Sequence, residues 1–149
     1  MSKIRITKEF RFEMAHALYG YDGPCKNVHG HSYQLSVTLL GEPNQDQTNV
    51  KYGMVMDFTD LKAIVNREVI DVFDHALVVN GNTPHAELAN QKQWAEKIIL
   101  ADYQPSCENL LIDFVQRIKR HLPANIELIT AQLRETATSY AEWHAQDQA

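Results

Sequence analysis

Two stretches near the start of the chain alternate between apolar and polar residues, and a loop marked by Gly20, Asp22-Gly23 and Pro24 separates them. In residues 8–17, Phe10, Phe12, Met14 and His16 share one face while Arg11 and Glu13 take the other. In residues 28–40 the odd positions are His29, His31, Tyr33, Leu35, Val37 and Leu39, and the even ones include Ser32, Gln34, Ser36 and Thr38. A period of two sends successive side chains to opposite faces, so each stretch is predicted to be a strand with one buried face. Both buried faces carry imidazoles at the ends that flank the loop.

The rest of the chain has weaker but readable punctuation. Residues 41–51 are polar and turn-like, and 52–56 are expected to complete a return strand. Asp57 suits an N-cap and Asp60 a first helical turn. Leu61, Ile64, Val65, Val69 and Phe73 follow at helical spacing, which predicts a helix over 59–72. Segment 80–104 is weakly patterned, and a short helix around 87–100, carrying Trp94, is expected inside it. Pro105-Ser106 opens a second amphipathic helix with Leu110, Leu111, Phe114, Val115, Ile118 and Leu122 inward, and Pro123 ends it. Residues 126–135 form a strand pattern in which Ile129, Ala131, Leu133 and Glu135 share a face, and 140–144 a last strand. The order ββααββ predicts a single α+β domain over residues 1–149, a four-stranded antiparallel sheet with two helices on one face.

Composition removes several function classes. With 14 Lys plus Arg against 19 Asp plus Glu, the formal net charge is −5. A nucleic-acid groove needs a clustered basic surface, and the most basic stretch, 117–121, reads as a solvated helix face, so no nucleic acid is expected. No apolar run approaches the roughly 20 residues that span a bilayer, and no long apolar stretch follows the basic residues of the N-terminus. A cytoplasmic protein with no membrane contact is expected. Cys25 and Cys107 are then expected as thiols rather than as a disulfide.

The imidazoles carry the strongest chemical signal. Residues two apart on a strand point the same way, so His29 and His31 can reach one ion together, and antiparallel pairing would bring His16 to the same face. Three neutral imidazoles leave one tetrahedral position open, as in catalytic rather than structural zinc sites. Otherwise the three are core residues, each with its own hydrogen-bond partners, at a cost of about 1–3 kcal/mol for every group left unmet. The residues alone leave both readings standing. A purely structural zinc domain would need a fourth protein ligand, and the sequence offers no convincing one.

In its wider context, Phe12-Glu13-Met14-Ala15-His16 followed by Cys25-x-x-x-His29-Gly30-His31-Ser32-Tyr33 resembles the 6-pyruvoyltetrahydropterin synthase superfamily. It is most similar to the bacterial branch, the 6-carboxytetrahydropterin synthases of queuosine biosynthesis. Further matches lie at Gly53-Met54-Val55-Met56-Asp57-Phe58, Leu61-Lys62, Asp74-His75, Pro105-Ser106-Cys107-Glu108-Asn109 and Glu135-Thr136. The resemblance covers nearly the whole chain in order and departs mainly at 80–104, which is longer here. It implies a tunnelling fold (T-fold), in which sheets from several subunits close a barrel with active sites between chains. The assembly it implies is a homohexamer, a dimer of trimers.

The same resemblance implies Zn2+ on His16, His29 and His31 and a pterin substrate, 7,8-dihydroneopterin triphosphate. The products would be 6-carboxy-5,6,7,8-tetrahydropterin, acetaldehyde and triphosphate. Enzymes of the pyruvoyl branch eliminate triphosphate from that substrate and keep the side chain; the short Cys25–His29 spacing resembles the carboxy-forming branch. A zinc- or pterin-binding module without turnover is the alternative of a different class.

Roles for other residues follow from the resemblance. Cys25, on its own an ordinary loop thiol or a thiolate activated by a nearby cation, is implied to be the general base. Asp74, a carboxylate able to fix the tautomer of the neighbouring His75, is implied to relay protons together with it. Glu135 is charged yet in phase with an apolar face, where a carboxylate needs a partner. The resemblance implies that it anchors the pterin ring, with Thr136 nearby, on the side of the pocket facing a neighbouring chain's zinc. Glu108 either lines the pocket or serves the first turn of its helix. Cys107 reads as a packing or pocket-lining residue, and His85, His121 and His144 as surface or helix-face residues.

Overall fold

In the computed structural model, which describes residues 2–148, β1 (Ile4–His16) and β2 (His29–Gly41) pair antiparallel along their whole lengths. The alternation read in the sequence is kept. Phe10, Phe12 and Met14 are buried with Tyr33, Leu35, Val37 and Leu39, while Glu9, Arg11 and Glu13 stay exposed. No return strand forms at 52–56. The backbone there closes on itself instead, with Gly53 N–H on Asn44 O and Met54 N–H on Lys51 O. Gly53 has a φ of 84°, a left-handed turn value that glycine adopts without strain.

α1 (Phe58–Val65) starts at Asp57, whose side chain accepts from Thr59 N–H as the predicted cap. It passes through a π turn (Asn66–Ile70) into α2 (Asp71–Phe73). The chain then forms β3 (Leu77–Asn80), parallel to β1, and β4 (Ile98–Ala101), parallel to β3. α3 (Cys107–Lys119) is capped by Ser106, which accepts from Asn109 N–H. β5 (Glu127–Thr136) pairs antiparallel with β2, and β6 (Ser139–His144) with β5.

The α+β class and the helices on one face hold, but the sheet is corrected. It is mixed and six-stranded, in the order β4-β3-β1-β2-β5-β6, rather than four-stranded and antiparallel. Val78 and Val79 are both fully buried, so β3 lacks the alternation that marks a half-exposed strand. The helix expected around 87–100 is also corrected, to a 3-10 segment (Pro84–Asn90) followed by β4. Trp94 is 80% exposed and anchors no buried face.

Phe114, fully buried, meets Phe12 and Phe73 edge-on at centroid distances of 5.9 and 4.9 Å, which joins α3 to the sheet and to α2. Phe114→Ala is expected to cost about 3–5 kcal/mol, read as a lower denaturant midpoint at unchanged slope. No helix among the described residues is long and apolar enough to cross a membrane.

Candidate metal centre and active site

Strand register builds the centre. His16 stands directly opposite His29, and Met14 opposite His31, so the three imidazoles share the buried face at one end of the β1–β2 ribbon. Ring centroids lie 4.6 Å (His16–His29), 5.2 Å (His16–His31) and 4.9 Å (His29–His31) apart. The candidate ligand atoms lie within 4.8 Å of one another.

The hydrogen bonding shows which nitrogens face the centre. His16 Nδ1 donates to Pro105 O, and His29 Nδ1 donates to Asn27 O, each at 2.7 Å. A carbonyl only accepts, so the proton sits on Nδ1 and the Nε2 lone pair is left free. Nε2 of His16, His29 and His31 is buried without any hydrogen-bond partner. Burial holds the His16 and His31 imidazoles below their ordinary pKa, which keeps them neutral near pH 7. Core imidazoles with satisfied rings would not gather three unpartnered ring nitrogens in one place. A nitrogen donor set of this kind fits a zinc-type cation.

Glu135 lies beside this centre. In the β5–β6 pairing the register shifts between Arg134 and Thr136, a bulge that re-aims the intervening side chain. Its Oε1 lies 3.5 Å from His16 Nε2 and 3.8 Å from His31 Nε2, and accepts from Tyr33 O–H at 3.1 Å. Glu135 therefore approaches the histidines of its own chain, which corrects the expectation that it faces a neighbouring chain's metal. Tyr33 is 1% exposed and stacks on Phe12 at 5.3 Å. Burial, with the Glu135 charge adding to it, pushes its pKa up, so Tyr33 remains a phenol that donates.

Cys25 sits half-buried in a 3-10 turn (Pro24–Lys26), and its carbonyl accepts from Leu18 N–H at 2.9 Å. That bond ties the Cys25 loop to the end of β1 that bears His16. The thiol is not part of the imidazole group. Cys107 is buried with its Sγ on Leu133 O, and burial, then the Glu135 charge, push its pKa up to about 12, which removes it as a base near neutrality. Glu108 borders a recess with Cys107, Glu135, Ser139 and Tyr140. Thr136 is exposed and accepts from Thr138 N–H at the β5–β6 turn.

Asp74 and His75 do form a pair, with Oδ1 and Nδ1 3.0 Å apart. Burial opposes ionisation of Asp74, yet the Glu13 N–H, the His75 ring and the Lys97 charge together hold its carboxyl below the usual range. His75 borders a recess with Glu13, Met14, Ala15, Gly30, His31 and Ser32. Neither Asp74 nor His75 joins the group formed by His16, His29 and His31. Among the remaining histidines, His121 contacts Glu68, His144 contacts Glu142, and His85 packs edge-on against Tyr19.

The profile of the family described as 6-pyruvoyl tetrahydropterin synthase matches residues 5–146. The chain belongs to this family. A relative from Haemophilus influenzae named 6-carboxy-5,6,7,8-tetrahydropterin synthase is 36% identical over 141 residues, covering 93% of this chain and 97% of that protein. A protein of the same name from Aquifex aeolicus is 30% identical, covering 95% and 98%. Among solved structures, the 6-pyruvoyl tetrahydropterin synthase of Caenorhabditis elegans superposes with a TM-score of 0.68 at 24% identity, covering 97% of each chain. An uncharacterized protein from Wolinella succinogenes superposes at 0.80 and 17% identity, covering 97% and 99%. These two likenesses concern the fold.

Within this family member, several participants escaped the sequence reading. The Pro105 and Asn27 carbonyls act through the backbone and carry no side-chain signal. Tyr33 was legible in principle, as a hydroxyl in an otherwise apolar row between two imidazoles and a carboxylate.

Proposed function

We propose that the chain is a zinc-dependent lyase, one catalytic domain over residues 1–149 acting in the cytoplasm. It converts 7,8-dihydroneopterin triphosphate to 6-carboxy-5,6,7,8-tetrahydropterin, acetaldehyde and triphosphate, a step of queuosine biosynthesis. The observation that carries this is the convergence of three bare Nε2 atoms next to the Glu135 carboxylate. The names of the Haemophilus and Aquifex relatives support the choice of product.

His16, His29 and His31 would hold the zinc, which when bound supplies Lewis acidity to the side chain of the substrate. Glu135 accepts hydrogen bonds from the ring N–H and amino group of the pterin, as a carboxylate does from any paired donors, with Glu108 and Thr136 at the edges of the same pocket. Cys25 takes a proton from the substrate side chain, and Asp74 with His75 passes it on. Because that pair stands outside the imidazole group of its own chain, we assign it to the centre of a neighbouring copy. A homohexamer built as a dimer of trimers is the assembly we assign.

Turnover of dihydroneopterin triphosphate by zinc-loaded protein, followed by mass spectrometry, is expected to yield the carboxy product with acetaldehyde. A pyruvoyl product without acetaldehyde would overturn the assignment. Tyr33→Phe removes one hydrogen bond to the Glu135 carboxylate and keeps the ring. KM is expected to rise about ten-fold, from the loss of a charge-assisted bond, with zinc content unchanged. Wild-type KM in this variant would show that Tyr33 does not matter to binding.

A further inference from the structure

We propose that Lys97, carried by the long segment 80–104, is a positioning residue that holds His75 in its working conformation. His75 has a φ of 63°, in the left-handed region that a residue with a Cβ adopts only under constraint. Its side chain is 77% exposed within its own subunit, so packing inside that subunit does not supply the constraint.

Backbone and polar contacts supply it from two sides. On one side the His75 N–H donates to Glu13 O, and the Glu13 N–H donates to Asp74 Oδ1 at 2.9 Å. On the other, Lys97 Nζ donates to Asp71 O at 2.9 Å and Asp74 O at 2.6 Å, while Lys97 O accepts from Leu77 N–H at 2.9 Å. Lys97 thus grips the chain immediately before His75 and two residues after it. The carbonyls of Asp71 and Asp74 lie at the C-terminal end of the helical run, where oxygens lack intrahelical partners and a cation is favoured.

The parallel register of β3 and β4 explains how the ammonium gets there. Leu77 pairs with Ile98, so the residue that precedes β4 falls beside the turn that precedes β3. Segment 80–104 loops out and returns to deliver one lysine to that turn. This gives one residue of that segment a task at the Asp74–His75 pair.

The catalytic consequence rests on the relay role given to His75 above; the brace itself does not. The test compares zinc-loaded wild type, Lys97→Met, Lys97→Arg and His75→Ala for kcat, KM, zinc content and exchange of the His75 amide hydrogen. Lys97→Met is expected to lower kcat about ten-fold, since small misplacements of a reacting group are costly. KM and zinc content stay at wild-type values, and the His75 amide exchanges faster. Lys97→Arg, which keeps a cation within reach of both carbonyls, restores most of the turnover.

Unchanged kcat and unchanged exchange in Lys97→Met would overturn the proposal, as would an arginine variant impaired as much as the methionine one. Full activity in His75→Ala, alongside faster exchange in Lys97→Met, would remove the relay from His75 and leave the brace standing.

Discussion

His31→Ala is expected to strip the protein of zinc and of activity together. His31 offers one of three buried Nε2 atoms that have no other partner, and two imidazoles on a strand pair are a poor tetrahedral site. Disturbing the groups behind a ligand already costs 10–100-fold in metal affinity, so removing the ligand is expected to cost more than about 100-fold. His31 is partly exposed and lies at one end of the strand pair, so the fold should survive. Dialysis against zinc buffers followed by elemental analysis reads the first effect, and turnover of dihydroneopterin triphosphate the second. Retained zinc in this variant would place the metal elsewhere.

Cys25→Ala is expected to separate what His31→Ala joins. The thiol lies outside the imidazole group, so zinc binding should be unaffected. Loss of the general base should lower kcat by about 10²–10⁴-fold, the range usual for positioned acid–base groups. KM should change little, because pterin recognition is given to Glu135. Full activity in Cys25→Ala would assign the base to another residue.

The histidine cluster was the part most legible in the sequence, for a physical reason. Alternation with period two is a local property, and once β1 and β2 pair antiparallel, the faces that bury Phe12 and Leu35 also gather His16, His29 and His31. The Asp57 cap and the Pro105-Ser106 helix start were legible for the same reason, since capping depends on neighbours only a few residues apart.

What was not legible depended on distant partners. β3 and β4 have four residues each, pair in parallel, and owe their existence to the edge of β1. No periodicity of their own announces them. Glu135 stands out in the sequence as a charge in phase with an apolar face, but its position against its own chain's histidines arises from a bulge and from Tyr33 across the strand. Adjacency of Asp74 and His75 in sequence did not establish their contact; the left-handed turn at His75 does.

Zinc K-edge X-ray absorption on the metal-loaded protein measures the coordination sphere itself. Three imidazole nitrogens at about 2.0–2.1 Å and one light, non-protein ligand are expected. A sulfur scatterer near 2.3 Å, or fewer than three imidazole nitrogens around the zinc, would contradict an open three-histidine centre.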